Sequence, residues 1–88
     1  MIVDIKQKHI DKGRPGSKDI CAVALAVWDL GFEDVDVGNK YIRVKKDGFW
    51  ISYRQNTVVM NFIGNYDQGI TVIPLITELT DTTLGFMV

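Results

Sequence analysis

The chain predicts an α+β fold, a two-layer sandwich in which an antiparallel meander carries two helices on one face, in the order β-α-β-β-β-α-β. Three observations carry this. Two hairpin dipeptides, Gly38-Asn39 and Asp47-Gly48, separate three runs in which apolar and polar residues alternate. The stretch Ile20 to Trp28 is apolar nearly all round at helical spacing. Val59, Phe62, Ile63 and Tyr66 recur at the same spacing later in the chain.

Each element follows in order. Val3 and Ile5 alternate with Asp4, a short first strand. Residues 6–16 read as a loop. Ser17 then reads as an N-cap, with Lys18 and Asp19 in the first helical turn, where the acid favours the positive helix end and the lysine opposes it. The sets Ile20, Val23, Ala24, Val27 and Cys21, Leu25, Trp28 wrap most of that helix. A helix of this kind is either central in the core or shared with a partner, a homodimer included. Gly31 suits the left-handed position past its end.

The meander comes next. Gly38-Asn39 as a two-residue turn sets Val35 opposite Ile42 and Asp34 opposite Arg43. Asp47-Gly48 sets Val44 opposite Ile51 and Lys45 opposite Trp50. The core face is then Val35, Ile42, Val44, Ile51 and Tyr53. The outer face is Asp34, Asp36, Tyr41, Arg43, Lys45, Trp50, Ser52 and Arg54. A helix from Asn56 to Asp67, closed by Gly69, competes with a strand reading of the β-branched run Thr57-Val58-Val59. Residues 70–79 read as a last strand with Pro74 at an edge or bulge. In the tail 80–88, Leu84, Phe86 and Met87 either pack back on the domain or offer an interface.

The 88 residues make one domain, with 47% hydrophobic and 24% charged residues, an ordinary globular balance. The net charge of −1 excludes a global field that recruits nucleic acid or membrane. The charge is nonetheless segregated. Residues 1–18 hold five basic against two acidic side chains, 19–39 hold five acids, 40–54 hold five basic against one acidic, and 55–88 hold three acids. A single cysteine forms no internal disulfide and fits a reducing compartment. No apolar run reaches the roughly 18 residues of a membrane span, and no stretch has signal-peptide form. The expected location is cytoplasmic, without membrane association.

Four constellations are candidates for function. The loop Lys12-Gly13-Arg14-Pro15-Gly16-Ser17-Lys18 runs into a helix start and is either a solvated turn or an anion site built on Arg14, Ser17 and Lys18. It is no P-loop, since the glycine–lysine spacing is absent. Cys21 with His9 and Asp11 has the residue types of a nucleophile and base, but Cys21 sits in a core run, so no catalytic residue is assigned. One His and one Cys do not make a metal site, and no metal or cofactor is expected. The outer face residues Tyr41, Arg43, Lys45, Trp50 and Arg54 interleave cations with aromatics, as a base-stacking, phosphate-clamping surface does, unless Asp34 and Asp36 neutralise it. The acidic cluster Asp29, Glu33, Asp34 and Asp36 is either a mimic of nucleic-acid charge or a solvated edge.

The inner α-β-β-β-α order matches that of double-stranded-RNA-binding domains, in order alone: Gln55-Asn56-Thr57 is neutral where that family has lysines. The motifs Ile10-Asp11-x-Gly13-x-x-Gly16, Cys21-x-x-Ala24-Leu25-Ala26, Val35-x-Val37-Gly38 and Phe62-Ile63-x-x-Tyr66-Asp67-x-Gly69 ahead of Pro74 form a set that spans most of the chain. This set resembles a group of small, mostly uncharacterised proteins encoded by bacteriophages and prophages. Such relatives often place a second cysteine three residues before the first, where this chain has Lys18. The resemblance implies a non-enzymatic, anti-CRISPR-like inhibitor. It would bind a host defence protein or ribonucleoprotein complex stoichiometrically in the host cytoplasm. The expected partner-binding residues are the acidic set 29–36 or the basic face 41–54. The alternative is a nucleic-acid or nucleotide-binding module, including a sponge for cyclic nucleotides.

Overall fold

The computed structural model describes residues 1–81, so the reading of Leu84, Phe86 and Met87 lies outside the described residues. It is a small α+β domain of three helices and two antiparallel sheets. The elements are β1 (Ile2–Ile5), α1 (Gln7–Lys12), α2 (Ala22–Trp28), β2 (Asp34–Val37), β3 (Tyr41–Lys46), β4 (Phe49–Arg54), α3 (Thr57–Asp67), β5 (Leu75–Glu78) and β6 (Thr80–Asp81).

The expected single sheet is divided. β2, β3, β4 and β6 form one sheet, while β1 pairs with β5 in a separate ribbon. Pro74 lies just before β5, and residues 70–74 have no regular structure, so β5 has 4 residues where the expected strand spanned 70–79. Leu79 carries the chain from one sheet to the other. It is 2% exposed, its N–H donates to the Met1 carbonyl at 2.8 Å, and the Met1 nitrogen donates back to its carbonyl at 3.0 Å. A two-stranded ribbon is marginal alone. Here Val3 and Ile5 are fully buried in a core shared with the larger sheet.

The loop reading of residues 6–16 is corrected by α1. Its N-terminus is closed by an imidazole: the Lys6 N–H donates to His9 Nδ1 at 2.9 Å. The Gln7 amide also donates to the Asp11 carboxylate at 2.8 Å, an i,i+4 pair. The start of the next helix is corrected too. Ser17 caps a separate turn, accepting from the Ile20 N–H at 3.2 Å, and α2 begins only at Ala22. Its cap is Cys21, whose sulfur accepts from the Ala24 N–H at 3.4 Å. Ile20 falls outside the helix and is 41% exposed. Five of the seven α2 residues are buried, so α2 is the central core helix of the two readings.

In the meander the second turn holds and the first slips. Asp47 and Gly48 adopt φ of 52° and 81°, both left-handed as a two-residue hairpin turn needs, and Val44 faces Ile51. Gly38 instead pairs with Tyr41, leaving Asn39-Lys40 as the turn. Val35 therefore faces Val44, and Arg43 faces Asp36 rather than Asp34. The slip is two residues along the partner strand, so each side chain keeps its face. Val35, Val37, Ile42 and Val44 are buried, with Ile51 and Tyr53 half-buried beside them. Residues 57–67 are helix, not strand, because Asn56 Oδ1 accepts from the Val59 N–H at 2.9 Å and starts it. Asn56 Nδ2 donates to Thr77 Oγ1 at 2.7 Å, tying α3 to β5.

The three helices meet at Gly13. A Cβ there would lie 2.5 Å from Tyr66 Oη, 2.6 Å from the Ala22 nitrogen and 2.8 Å from the His9 carbonyl. Backbone cannot retreat from such a contact as a flexible side chain can. Gly13→Ala is expected to destabilise the fold by about 1–3 kcal/mol. Tyr66→Phe, which removes one of the three obstacles, should restore only part of that loss. Urea unfolding of the single and double variants checks it.

Candidate functional site

The structure separates the sequence-based candidates sharply. His9 is 4% exposed and both of its ring nitrogens are engaged. Since Nδ1 accepts from the Lys6 N–H, Nε2 carries the proton and faces Asp29 Oδ2 at 2.7 Å. Lys8 Nζ lies 3.5 Å from the same oxygen. An acid at a helix C-terminus opposes the dipole, and these two donors offset that at Asp29. The His9 hydrogen bond chiefly holds the Asp29 carboxyl below its ordinary range, and Lys8 adds to the effect.

Cys21 is not joined to His9. It is 4% exposed, its sulfur is used as the α2 cap, and burial pushes its thiol up. A low thiolate fraction is the opposite of what a nucleophile needs. Asp11 is bonded to Gln7. Among the described residues, no three His, Cys, Asp or Glu side chains cluster as metal ligands do. No helix of the described residues is long and apolar enough to cross a membrane.

The proposed anion loop has found an anion within the chain. The Gly16 N–H donates to Asp67 Oδ1 at 2.8 Å, so a carboxylate from the end of α3 occupies it. Ser17 Oγ bonds Asp19 at 2.9 Å. The backbone is otherwise tied down: the Arg14 N–H to the Ile20 carbonyl, the Val37 N–H to the Lys18 carbonyl at 2.7 Å, and the Trp28 indole to the Asp19 carbonyl at 2.8 Å. Arg14 and Lys18 remain exposed, but Ser17 is not beside them as the cap of a long helix.

Each acid of the set 29–36 has a partner within the chain. Asp29 pairs with His9 and Lys8. Glu33 Oε1 accepts from the Gly48 N–H at 3.1 Å, holding the β3–β4 hairpin tip. Asp34 accepts from the Val35 N–H at 2.8 Å, and Asp36 pairs with Arg43. Each acid has an internal partner, which weakens its field on a basic partner.

What the fold does assemble is the outer face of the larger sheet. The register makes three rows across it: Asp34–Lys45–Trp50, Asp36–Arg43–Ser52, and Tyr41–Arg54. Trp50 is 47% exposed and Tyr41 36%. Phe49, at the hairpin tip, is 75% exposed. Beneath one end lies a residue the sequence did not single out. Gln55 is 4% exposed, and its Nε2 donates to the Gly38 carbonyl at 2.7 Å and the Tyr41 carbonyl at 3.3 Å. Its N–H donates to the Lys40 carbonyl at 2.8 Å. A neutral polar residue at the end of a strand carries no pattern that would have marked it.

Two outcomes are expected. Cys21 in the native chain should resist alkylation and react fully once denaturant is added, as thiol labelling followed by mass measurement will show. The lowered Asp29 value adds stability above the ordinary carboxylate range, lost as pH falls through the folded value. Asp29→Asn should therefore flatten the acid limb of stability against pH. Half-exposed Asp29 is screened, so the difference should be small and shrink with salt. Thermal unfolding between pH 5 and 2 measures it. Comparison of the chain with family models, with curated proteins and with solved structures finds no match.

Proposed function

We propose that this chain is a non-enzymatic binding module of phage origin that blocks a host defence protein or ribonucleoprotein complex by stoichiometric binding, with the outer face of β2, β3 and β4 as its docking surface. One observation supports this above others. Tyr41, Arg43, Trp50 and Arg54 stand on one exposed, hydrogen-bonded sheet face. Trp, Tyr and Arg are the residue types that dominate binding energy at protein interfaces. The acidic set 29–36, the other candidate surface, is consumed in internal bonds. Phage origin and the class of partner rest on the resemblance of the sequence motifs. On this reading the module acts in the host cytoplasm, without cofactor or membrane.

A second reading has its own support. Lys45 faces Trp50 and Arg54 faces Tyr41 across the strands. Alternating cations and rings suit bases and phosphates of a single strand. Pairing of Asp36 with Arg43 removes part of the repulsion a strand would meet.

Salt and composition of the partner distinguish the two. With purified defence complexes, wild type is expected to co-elute with one of them, and Trp50→Ala to lose at least about tenfold in affinity while keeping its unfolding midpoint. Failure of every complex to co-elute, with a phage deletion mutant unaffected on defended hosts, overturns the first reading. Nucleic-acid binding should weaken steeply between 50 and 200 mM salt. Absence of binding to single strands even at low salt removes the second.

A further inference from the structure

Five surface hollows of the described residues differ in what lines them. Three contain a carboxylate: Glu78 beside the start of α3, Asp67 under the 16–21 turn, and Asp29 beside His9. A fourth, against residues 71–75, has apolar and neutral walls. The fifth is lined by Gly38, Asn39, Lys40, Tyr41, Arg43 and Ser52; it carries two cations, and the carboxylate next to it, Asp36, is bound to one of them, Arg43. Its volume of about 350 Å³ falls within the roughly 300–1,000 Å³ of small-molecule sites.

This hollow has a built floor. The turn beneath it is held from one side by three bonds from buried Gln55, to the carbonyls of Gly38, Lys40 and Tyr41. The Gly38 N–H closes the turn on the Tyr41 carbonyl at 2.9 Å. On the other side the Val37 N–H is fixed to Lys18. Asn39, Lys40 and Tyr41 therefore project from a backbone that is locked before any ligand arrives, which lowers the ordering cost of binding. Arg43 gives one nitrogen to Asp36 and keeps further donors on the same guanidinium.

We propose that this hollow binds a single nucleotide unit, its base stacked on Tyr41 and its phosphate held by Lys40 and Arg43. The ring supplies a π-face that accepts any base, the cations supply charge, and Asn39 supplies both donors and acceptors for a base edge. The unit is either a free mononucleotide or the end of a strand, which share this chemistry. The site rests on the outer face as the working surface, and not on which macromolecule that face engages.

The test is titration of the ¹⁵N-labelled full chain at low salt with adenosine 5′-monophosphate, adenosine, inorganic phosphate and a short oligoadenylate. The monophosphate is expected to give saturable shifts in the amides of residues 38–43. Adenosine and phosphate should each bind about tenfold or more weakly. Tyr41→Ala and Lys40→Ala should each weaken the monophosphate about tenfold without moving the unfolding midpoint. Tighter binding of the oligonucleotide at the same amides assigns a strand end as the source, and equal binding assigns the free nucleotide. No saturable shift at millimolar monophosphate overturns the site, as does phosphate binding as well as the nucleotide. Oligonucleotide shifts confined to Trp50 and Arg54, with none from the monophosphate, overturn it while leaving the nucleic-acid reading of the face standing.

Discussion

The approach of Gly13 to Tyr66 and Ala22 is the constraint on which the rest of this fold depends. Gly13 has φ of −70°, so no unusual backbone conformation calls for glycine there; the demand is steric. Its bare Cα lets the end of α1, the start of α2 and the end of α3 share one point. The Tyr66 hydroxyl then donates to the Ile10 carbonyl at 3.2 Å, and Asp67 reaches Gly16. Those bonds hold the 13–21 segment as a series of turns, so that Cys21 rather than Ser17 begins α2. With α2 so placed, Val23 and Val27 reach the centre of the core. Burial raises the Tyr66 phenol as it does the Cys21 thiol.

A second junction unites the two sheets. Asn56 starts α3 with its oxygen and grips β5 with its nitrogen, so one side chain fixes a helix to a strand 21 residues away. Gln55, its neighbour, grips the β2–β3 turn instead. Adjacent amides thus hold two different elements. The arrangement has a cost: Gln55 Oε1 is buried with no hydrogen-bond partner among the described residues, a loss on the order of 1–3 kcal/mol. Three bonds from the same residue to the turn offset it. Neither Asn39 nor Lys40 adopts a left-handed φ, so this turn does not need glycine at its centre.

These junctions mark where the sequence stops being legible. Alternation in 34–54 shows which residues face the core, because period 2 survives a two-residue slip. Asp47-Gly48, Gly31 and Gly69 are legible because a left-handed φ is a local demand. The helix α1 is not, since its cap is an imidazole from its own third residue, outside the usual cap chemistry. A sulfur cap at Cys21 hides the start of α2 behind a Ser17 that suits the role better by type. The register of β2 on β3 is decided by Lys18 and Gln55, 19 residues behind Val37 and 14 beyond Tyr41. The division of the sheet depends on Leu79, one apolar residue among several in its run. In the first two cases an unusual local cap hides the helix start, and in the last two a contact distant in sequence outweighs the local preference.

The same logic applies to function. Charge lies in blocks along the chain, but folding pairs Asp29 with His9, Asp67 with Gly16 and Asp36 with Arg43, so block charge is a poor map of surface charge. Several residues of the sequence motifs take part in the three-helix junction: Gly13 by its close contacts, Ile10 and Tyr66 by their hydrogen bond, and Gly16 and Asp67 by theirs. Others, Val35, Val37 and Gly38, belong to β2 and its turn. None of the junction bonds employs Tyr41, Arg43, Lys45, Trp50 or Arg54. On the proposed reading, recognition falls to the rows of the outer face and to the turn that Gln55 locks at their end.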